Sequence, residues 1–461
     1  MYDLMDFNYF DSENDYYDDT QDFEEYDDDD FQDENFTDVW NNCVLLSSQS
    51  ILPLMWRLMF SNISFGLLVS SVKISEPIFH LLSGLTGIYL ASEVESTEGK
   101  SILIIYLIVS YLIIIGTHFI HKKCSKDLGP IVKVFFIASL IFSQHLFIKK
   151  EVFLRIRGIL MIIVMKILHL IDETFEKGEF PSVLQYFGYT LCSANILFGP
   201  WTTYQEYKEL HSQPKKKNAY WILGIFKSFT LSLTCLTISN CWAAYLISGS
   251  FNRWLLAYRD ALSFRFSHYF VSYLAEMSMI SAGFKNFNSG GKLWSYTVVS
   301  PLDIEFPTSL ATVVTKWNQP IHLFLKNTIY LPMRKYGQFS AIMATFLVSS
   351  FLHGFEVRVS VVLLSLGVFS FLQVKSRILI SDAMDACLNV KPCKQCTHKY
   401  GRDNFGVRTS LLLFAFDSIL HLAYLGILMD PALGDLSIYE QWSDLYFISH
   451  IIMFVNFLLI I

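Results

Sequence analysis

The stretch that decides the fold is Ser340-Ala-Ile-Met-Ala-Thr-Phe-Leu-Val-Ser-Ser-Phe-Leu-His-Gly-Phe355. It is apolar enough to lie in hydrocarbon, yet it carries one imidazole, His353. An ionisable side chain in a bilayer costs a few kcal/mol, so such a group faces protein or a water-filled cavity and marks a functional place. Upstream of it, Asn318 stands in Lys316-Trp-Asn-Gln-Pro320.

Read as a helix, the stretch puts Ser349 and Phe346 on the face of His353, with Ser350 three residues back. A polar notch beside an aromatic wall suits a pocket that holds both a hydroxyl and an acyl chain. Gly354 permits a turn or a close approach. A neutral imidazole accepts a proton from an alcohol near physiological pH. The Asn318 amide offers two donors and one acceptor, enough to polarise a thioester carbonyl or hold an oxyanion. Trp317 and Pro320 are consistent with a fixed turn over an apolar pocket.

The surroundings make the membrane the solvent. Of 461 residues, 52% are hydrophobic and 17% charged, where a soluble domain carries about 25% charged. Forty are Phe, and mean hydropathy is +0.38. Apolar spans are expected near 44–71, 76–93, 101–120, 130–148, 152–170, 182–199, 219–248, 262–282, 338–354, 357–375, 409–428 and 444–461. The fold class is therefore an all-α polytopic membrane protein of about ten to twelve membrane helices. Basic joints at His121–Lys126, Lys149–Lys150 and Lys215–Lys217 favour the cytoplasmic side. They cannot all lie there if every span crosses, so re-entrant or interfacial segments are expected. Residues 283–337 form a long insert without a clear crossing, punctuated by Pro301, Pro307, Pro320 and Pro332. Irregular backbone at membrane depth survives only when buried in protein or lining a cavity. The insert reads either as the wall of a reaction chamber or as a loop of short amphipathic helices.

Charge divides the chain in two. Residues 1–40 hold 17 Asp and Glu and no Lys or Arg, and the rest has 25 acids against 35 bases. The expected organisation is an acidic, disordered tail over 1–42 and a membrane domain over 43–461. The basic body suits anionic lipid headgroups and a phosphorylated cosubstrate. No secretory signal peptide is evident, so the first apolar span reads as an uncleaved anchor.

Other motifs are weaker. Cys387, Cys393, Cys396 and His398 have a spacing that permits a zinc site or one disulfide, and equally suits a plain basic loop. Asn35-Phe-Thr37 and Asn62-Ile-Ser64 are glycan acceptors only if lumenal. Phe198-Gly-Pro-Trp201 reads as a helix end. There is no P-loop, no dinucleotide fingerprint, no HExxH and no sign of nucleic-acid binding. Internal repeats typical of many transporters are absent.

Three stretches make the chain resemble the membrane-bound O-acyltransferase family. They are Phe264-Arg-Phe-Ser-His-Tyr-Phe270 continuing to Glu276, Val313-Val-Thr-Lys-Trp-Asn-Gln-Pro320, and Ser349-Ser-Phe-Leu-His-Gly-Phe355 leading into Val361-Val-Leu-Leu-Ser-Leu366. His421-Leu-Ala-Tyr-Leu-Gly426 and the cysteine loop add to the likeness, which spans about residues 50–461. Within the family it points to the enzymes that acylate secreted Wnt proteins. The resemblance implies helices around a central reaction chamber in the endoplasmic reticulum membrane, spanning it many times. It implies transfer of palmitoleoyl from palmitoleoyl-CoA to a serine of a Wnt protein, for which no resident cofactor or metal is expected. It makes His353 the catalytic histidine and Asn318 its partner. Trp317, Phe346, Ser349 and Leu352 fall at pocket-lining positions, with Phe346 where relatives often carry Tyr. The partners implied are Wnt proteins, acyl-CoA and membrane lipids. Two rivals stay open: a family member acting on a lipid alcohol, and a polytopic transporter or receptor without catalysis.

Overall fold

The computed structural model describes residues 35–124, 128–144, 148–178, 180–214, 216–285, 294, 296–354, 356–391, 393, 397–429 and 436–461. Among these residues the chain is helical and has no strand beyond one isolated bridge pair, Ala386 with Tyr400. The acidic stretch 1–34, the segment 286–293 and Cys396 lie outside the described residues.

The chain forms two compact units. The first comprises Met1–Thr237, Phe270–Thr297 and Phe351–Gly354; the second comprises Ile238–Tyr269, Val298–Ser350 and Phe355–Ile461. Helices of the first are α1 (Phe36–Val39), α2 (Leu45–Ser71), α3 (Glu76–Val94), α4 (Thr97–Cys124), α5 (Gly129–Phe142), α6 (Lys150–Lys177), α7 (Val183–Thr190), α8 (Tyr204–Ser212) and α9 (Ala219–Thr237). Then come α10 (Ala243–Leu246), α11 (Arg253–Ala282), α12 (Pro301–Glu305), α13 (Leu310–Trp317), α14 (Gln319–Leu325), α15 (Leu331–Met333) and α16 (Gln338–Leu352). The chain closes with α17 (Val357–Met384), α18 (Phe405–Gly426), α19 (Ile438–Asp444) and α20 (Ile448–Ile460). The C-terminal parts of α11 and α16 belong to the first unit.

Among the described residues, five helical segments are long and apolar enough to cross a membrane: Phe36–Ser71, Thr97–Lys123, Ala219–Leu246, Val357–Met384 and Phe405–Met429. The bent pair α19–α20, turned by 82°, brings the number to six if it is one span. The α5 and α16 helices are shorter and apolar. Aliphatic side chains on α4, such as Ile105 and Leu112, are about 60% exposed, as a lipid-facing surface requires.

The core of the first unit is α6. Ile159 through Met165, then Ile167, Leu168, Leu170 and Ile171, are all buried. A helix that is apolar all round is covered on all sides. It packs against α4, α5, α7 and α8. In its middle sits Lys166, fully buried, donating from Nζ to the Tyr189 carbonyl (2.9 Å), the Thr190 carbonyl (3.1 Å) and Asn195 Oδ1 (2.6 Å). This explains a departure from the expected span at 182–199. The helix there stops at Thr190, and the rest turns back irregularly. Carbonyls freed by that break are met by the ammonium, which has no acceptor of its own and needs several. Asn62 is likewise committed: its Nδ2 donates to the Leu58 carbonyl and Ser278 Oγ (both 3.0 Å), and its Oδ1 accepts from Ser193 Oγ (2.8 Å). Buried and bonded, this sequon asparagine is a packing residue.

The second unit is organised by α17, which packs against α13, α18 and α20. The insert consists largely of short helices, with α12, α13 and α14 only five, eight and seven residues long.

Candidate functional site

Each end of α13 is fixed by a named contact, and Asn318 follows directly. At the start, Ser309 caps the helix by accepting from the Thr312 N–H at 3.1 Å. Gln373 of α17 accepts the Leu310 N–H at 2.9 Å and donates to Asp417 Oδ2 (2.8 Å) and Ser418 Oγ (3.0 Å). Arg377, one turn further along α17, donates to the carbonyls of Thr308 (2.6 Å) and Leu388 (2.8 Å). Such bonds satisfy helix-end groups that would otherwise be buried unpaired.

At the other end, Trp317 lies face to face with His268 of α11, 4.4 Å between centroids and 9° from parallel. His268 Nε2 also donates to the Trp317 carbonyl at 2.9 Å, which fixes its proton on that nitrogen. Phe264 stacks on the tryptophan at 5.9 Å. The neighbouring α12 is tied to α11 by Arg265, whose Nε and Nη2 meet both Glu305 oxygens at 2.8 and 2.9 Å, while the Tyr269 hydroxyl donates to Oε1 at 2.7 Å. A two-point guanidinium–carboxylate pair fixes orientation as well as distance.

Asn318 occupies the joint between α13 and α14. Its backbone is extended (φ −146°, ψ 94°), and its Oδ1 accepts the Ile321 N–H at 3.1 Å, so it is the N-cap of α14. The adjoining strap is closed by Gln319 N–H to the Val298 carbonyl (2.8 Å), Ser300 N–H to the Lys316 carbonyl (3.1 Å) and Gln319 Nε2 to Ser300 Oγ (3.1 Å). With the oxygen used in capping, the amide presents its Nδ2 hydrogens, which bond to nothing among the described residues. Asn318 is half-buried. The arrangement is a held N–H donor beside an aromatic stack.

His353 falls in the first unit, just beyond the end of α16. The helix closes at Leu352, and Gly354, with φ +81°, turns the chain by returning its N–H to the Phe351 carbonyl at 3.0 Å. His353 thus stands in the turn that closes α16, one residue past the helix that carries Phe346 and Ser349. The left-handed backbone after it favours glycine. A Cβ on Gly354 would also lie 2.7 Å from Gln144 Oε1 and 3.2 Å from the Phe153 ring. His353 is half-buried and Leu352 is buried.

The remaining predicted residues lie on α16 in the second unit. Phe346 is buried with its ring where a Cβ on Gly367 of α17 would stand, 2.7 Å from Cδ2, so it fills a helix–helix contact. Ser349 is buried; beside it, Ser350 Oγ and Ser360 Oγ are 2.5 Å apart. Trp317 and Asn318 are thus brought together, as are Leu352 and His353, in separate compact units. A cavity of about 250 Å³ lies elsewhere, in the first unit, with Glu206, Glu209, Lys217 and Gly283 in its wall and neither Asn318 nor His353. There Lys217 Nζ sits 4.8 Å above the Trp294 ring, and burial, with Lys285 nearby, pushes its ammonium down to about 8.

Sequence reasoning missed Gln373, Arg377 and Lys166. Each is a polar residue buried in a largely apolar helix, the kind of signal that singled out His353. Arg265 and His268 lay in the expected apolar span 262–282, within a stretch that carries the resemblance, and neither was given a role.

The sequence pattern of the membrane-bound O-acyltransferase family matches residues 93–380, a range that takes in both Asn318 and His353. The chain is 28% identical over 454 residues to the protein-serine O-palmitoleoyltransferase porcupine of Homo sapiens, covering 91% of this chain and 96% of the relative. It is 31% identical to the Mus musculus porcupine over 72% of this chain and 78% of that one. It is 33% identical to the Anopheles gambiae porcupine over 69% and 71%.

Proposed function

The chain belongs to the membrane-bound O-acyltransferase family, and from that premise we propose that it is a protein-serine O-palmitoleoyltransferase that acts on Wnt proteins in the endoplasmic reticulum membrane. The observation that carries this is the likeness to porcupine along nearly the whole of both chains. The donor is palmitoleoyl-CoA. Its acyl chain would rest in an apolar passage, where each buried CH₂ contributes roughly 0.8 kcal/mol. Its phosphates would meet the basic joints of the body.

In the proposed reaction, His353 takes the proton from the serine hydroxyl as its oxygen attacks the thioester carbon. The carbonyl oxygen becomes an oxyanion, and the Asn318 Nδ2–H donates to it. Collapse expels the CoA thiolate, which leaves with the proton from the imidazolium. The ester forms, the thioester breaks, and His353 returns to its neutral state. Asn318 suits this role because its oxygen is occupied in capping α14, which turns the amide hydrogens outward. His353 suits its own because the turn at Gly354 holds it at the end of a helix.

The test is mass spectrometry of a Wnt protein secreted by cells that lack their own acyltransferase and carry this chain. A palmitoleoyl ester on one serine is expected. A Wnt protein left unmodified, with the chain present in the membrane, would overturn the assignment.

A further inference from the structure

The loop that follows α17 assembles a second chemical group, independent of acyl transfer. Asp385, left-handed with φ 49°, ends the helix, and the chain then leaves and returns on itself. The Cys387 N–H donates to the Tyr400 carbonyl (2.9 Å), and the Tyr400 N–H donates to the Asp385 carbonyl (3.0 Å). Four further bonds hold its two ends: Ser381 Oγ to the Ala386 carbonyl (2.6 Å), Arg377 Nε to the Leu388 carbonyl (2.8 Å), and Arg402 Nη2 to the carbonyls of Asn389 (2.6 Å) and Val390 (3.4 Å). Ala386, Leu388 and Val407 form a small apolar core beneath it. These bonds hold the described ends of the loop, and three ligand atoms lie together beside them.

Those atoms are Cys387 Sγ, Cys393 Sγ and a ring nitrogen of His398, all within 4.8 Å of one another. The two sulfurs are 3.6 Å apart, and Cys393 Sγ is 3.8 Å from His398 Nδ1. A disulfide needs about 2.05 Å between sulfurs. Tetrahedral zinc, with Zn–S about 2.3 Å and Zn–N about 2.05 Å, needs about 3.8 Å between sulfurs and about 3.6 Å from sulfur to nitrogen. The observed separations fit the metal. Cys387 is buried and the other two are half-buried, so an ion can reach the group while the first thiol stays shielded.

We infer that Cys387, Cys393 and His398 bind a zinc ion that staples this loop across the end of α17 and the start of α18. Two thiols lose their protons on binding, and the imidazole ligates in its neutral form, so the ion and the two thiolates cancel in charge. A structural zinc completes its tetrahedron with a fourth ligand.

The test is elemental mass spectrometry on the full-length chain, purified in detergent without chelator. About one zinc per chain is expected, with a loss of at least most of it in Cys393→Ser and in His398→Ala. If these variants fail to accumulate, the wild-type chain decides the matter alone. Its cysteines at 387 and 393 should resist alkylation until a strong chelator is added, and its melting temperature should fall with chelator and recover with zinc. Wild-type protein free of zinc, a disulfide between Cys387 and Cys393, or zinc content unchanged in the two variants would each overturn the inference.

Discussion

His268 and Trp317 lie ring on ring, 4.4 Å apart, and the same histidine donates to the tryptophan's carbonyl. One side chain thus fixes both the ring and the peptide that precedes Asn318. The stack contributes about 0.5–1.5 kcal/mol and the hydrogen bond about 1 kcal/mol. His268→Ala should therefore loosen the joint and lower kcat roughly ten-fold, with KM for acyl-CoA little changed. His268→Gln, which keeps a donor, should recover part of the rate. Equal loss in both variants would show that the hydrogen bond does not position the joint.

Asn318 carries two duties that one substitution separates. Asn318→Asp keeps the oxygen that caps α14 and removes the amide donor. Asn318→Ala removes both, and loss of an N-cap costs about 1 kcal/mol. Removing one oxyanion donor lowers kcat about 10²–10³-fold. The aspartate variant should melt near wild type yet lose most of its rate. An aspartate variant with wild-type kcat would leave Asn318 as a cap alone.

The Arg265–Glu305 pair holds α12 onto α11, with the guanidinium side chain 4% exposed. Breaking such a pair from one side costs about 3–5 kcal/mol, because a buried charge is left behind. Arg265→Met should lower the melting temperature in detergent sharply. Arg265→Met with Glu305→Met should restore much of it. A double variant less stable than Arg265→Met alone would contradict this reading.

Gly354 is constrained by backbone and space together. A left-handed residue with a side chain costs about 1–2 kcal/mol, and its Cβ would press on Gln144. Gly354→Ala should accumulate less and, per molecule, transfer less, because the turn that presents His353 is displaced. Adding Gln144→Ala should relieve the crowding but not the backbone cost. Full recovery in that double variant would show that space alone matters.

The helical class was legible because long apolar runs recur along the chain, and His353 drew notice as a polar group within one of them. The helices at Glu76–Val94 and Phe405–Gly426 lie close to their expected positions because their hydrophobicity is continuous. The stop at Thr190 was not legible, because it is compensated by Lys166, distant along the chain. Nor was the anchoring of Leu310 by Gln373, which joins residues 63 apart. Nor was the packing of the Phe346 ring against Gly367 of α17, a contact between two helices that spacing along one of them does not show. Local pattern reports what a helix buries, and long-range pairing decides where helices end.

In the proposed mechanism the imidazole of His353 is the base on which every step depends. The direct measurement is transfer of palmitoleoyl from palmitoleoyl-CoA to a serine-bearing Wnt hairpin peptide by the purified full-length chain, compared with His353→Ala at equal amount and equal melting temperature. Loss of the product ester in the variant is expected. Transfer at the wild-type rate would contradict the mechanism.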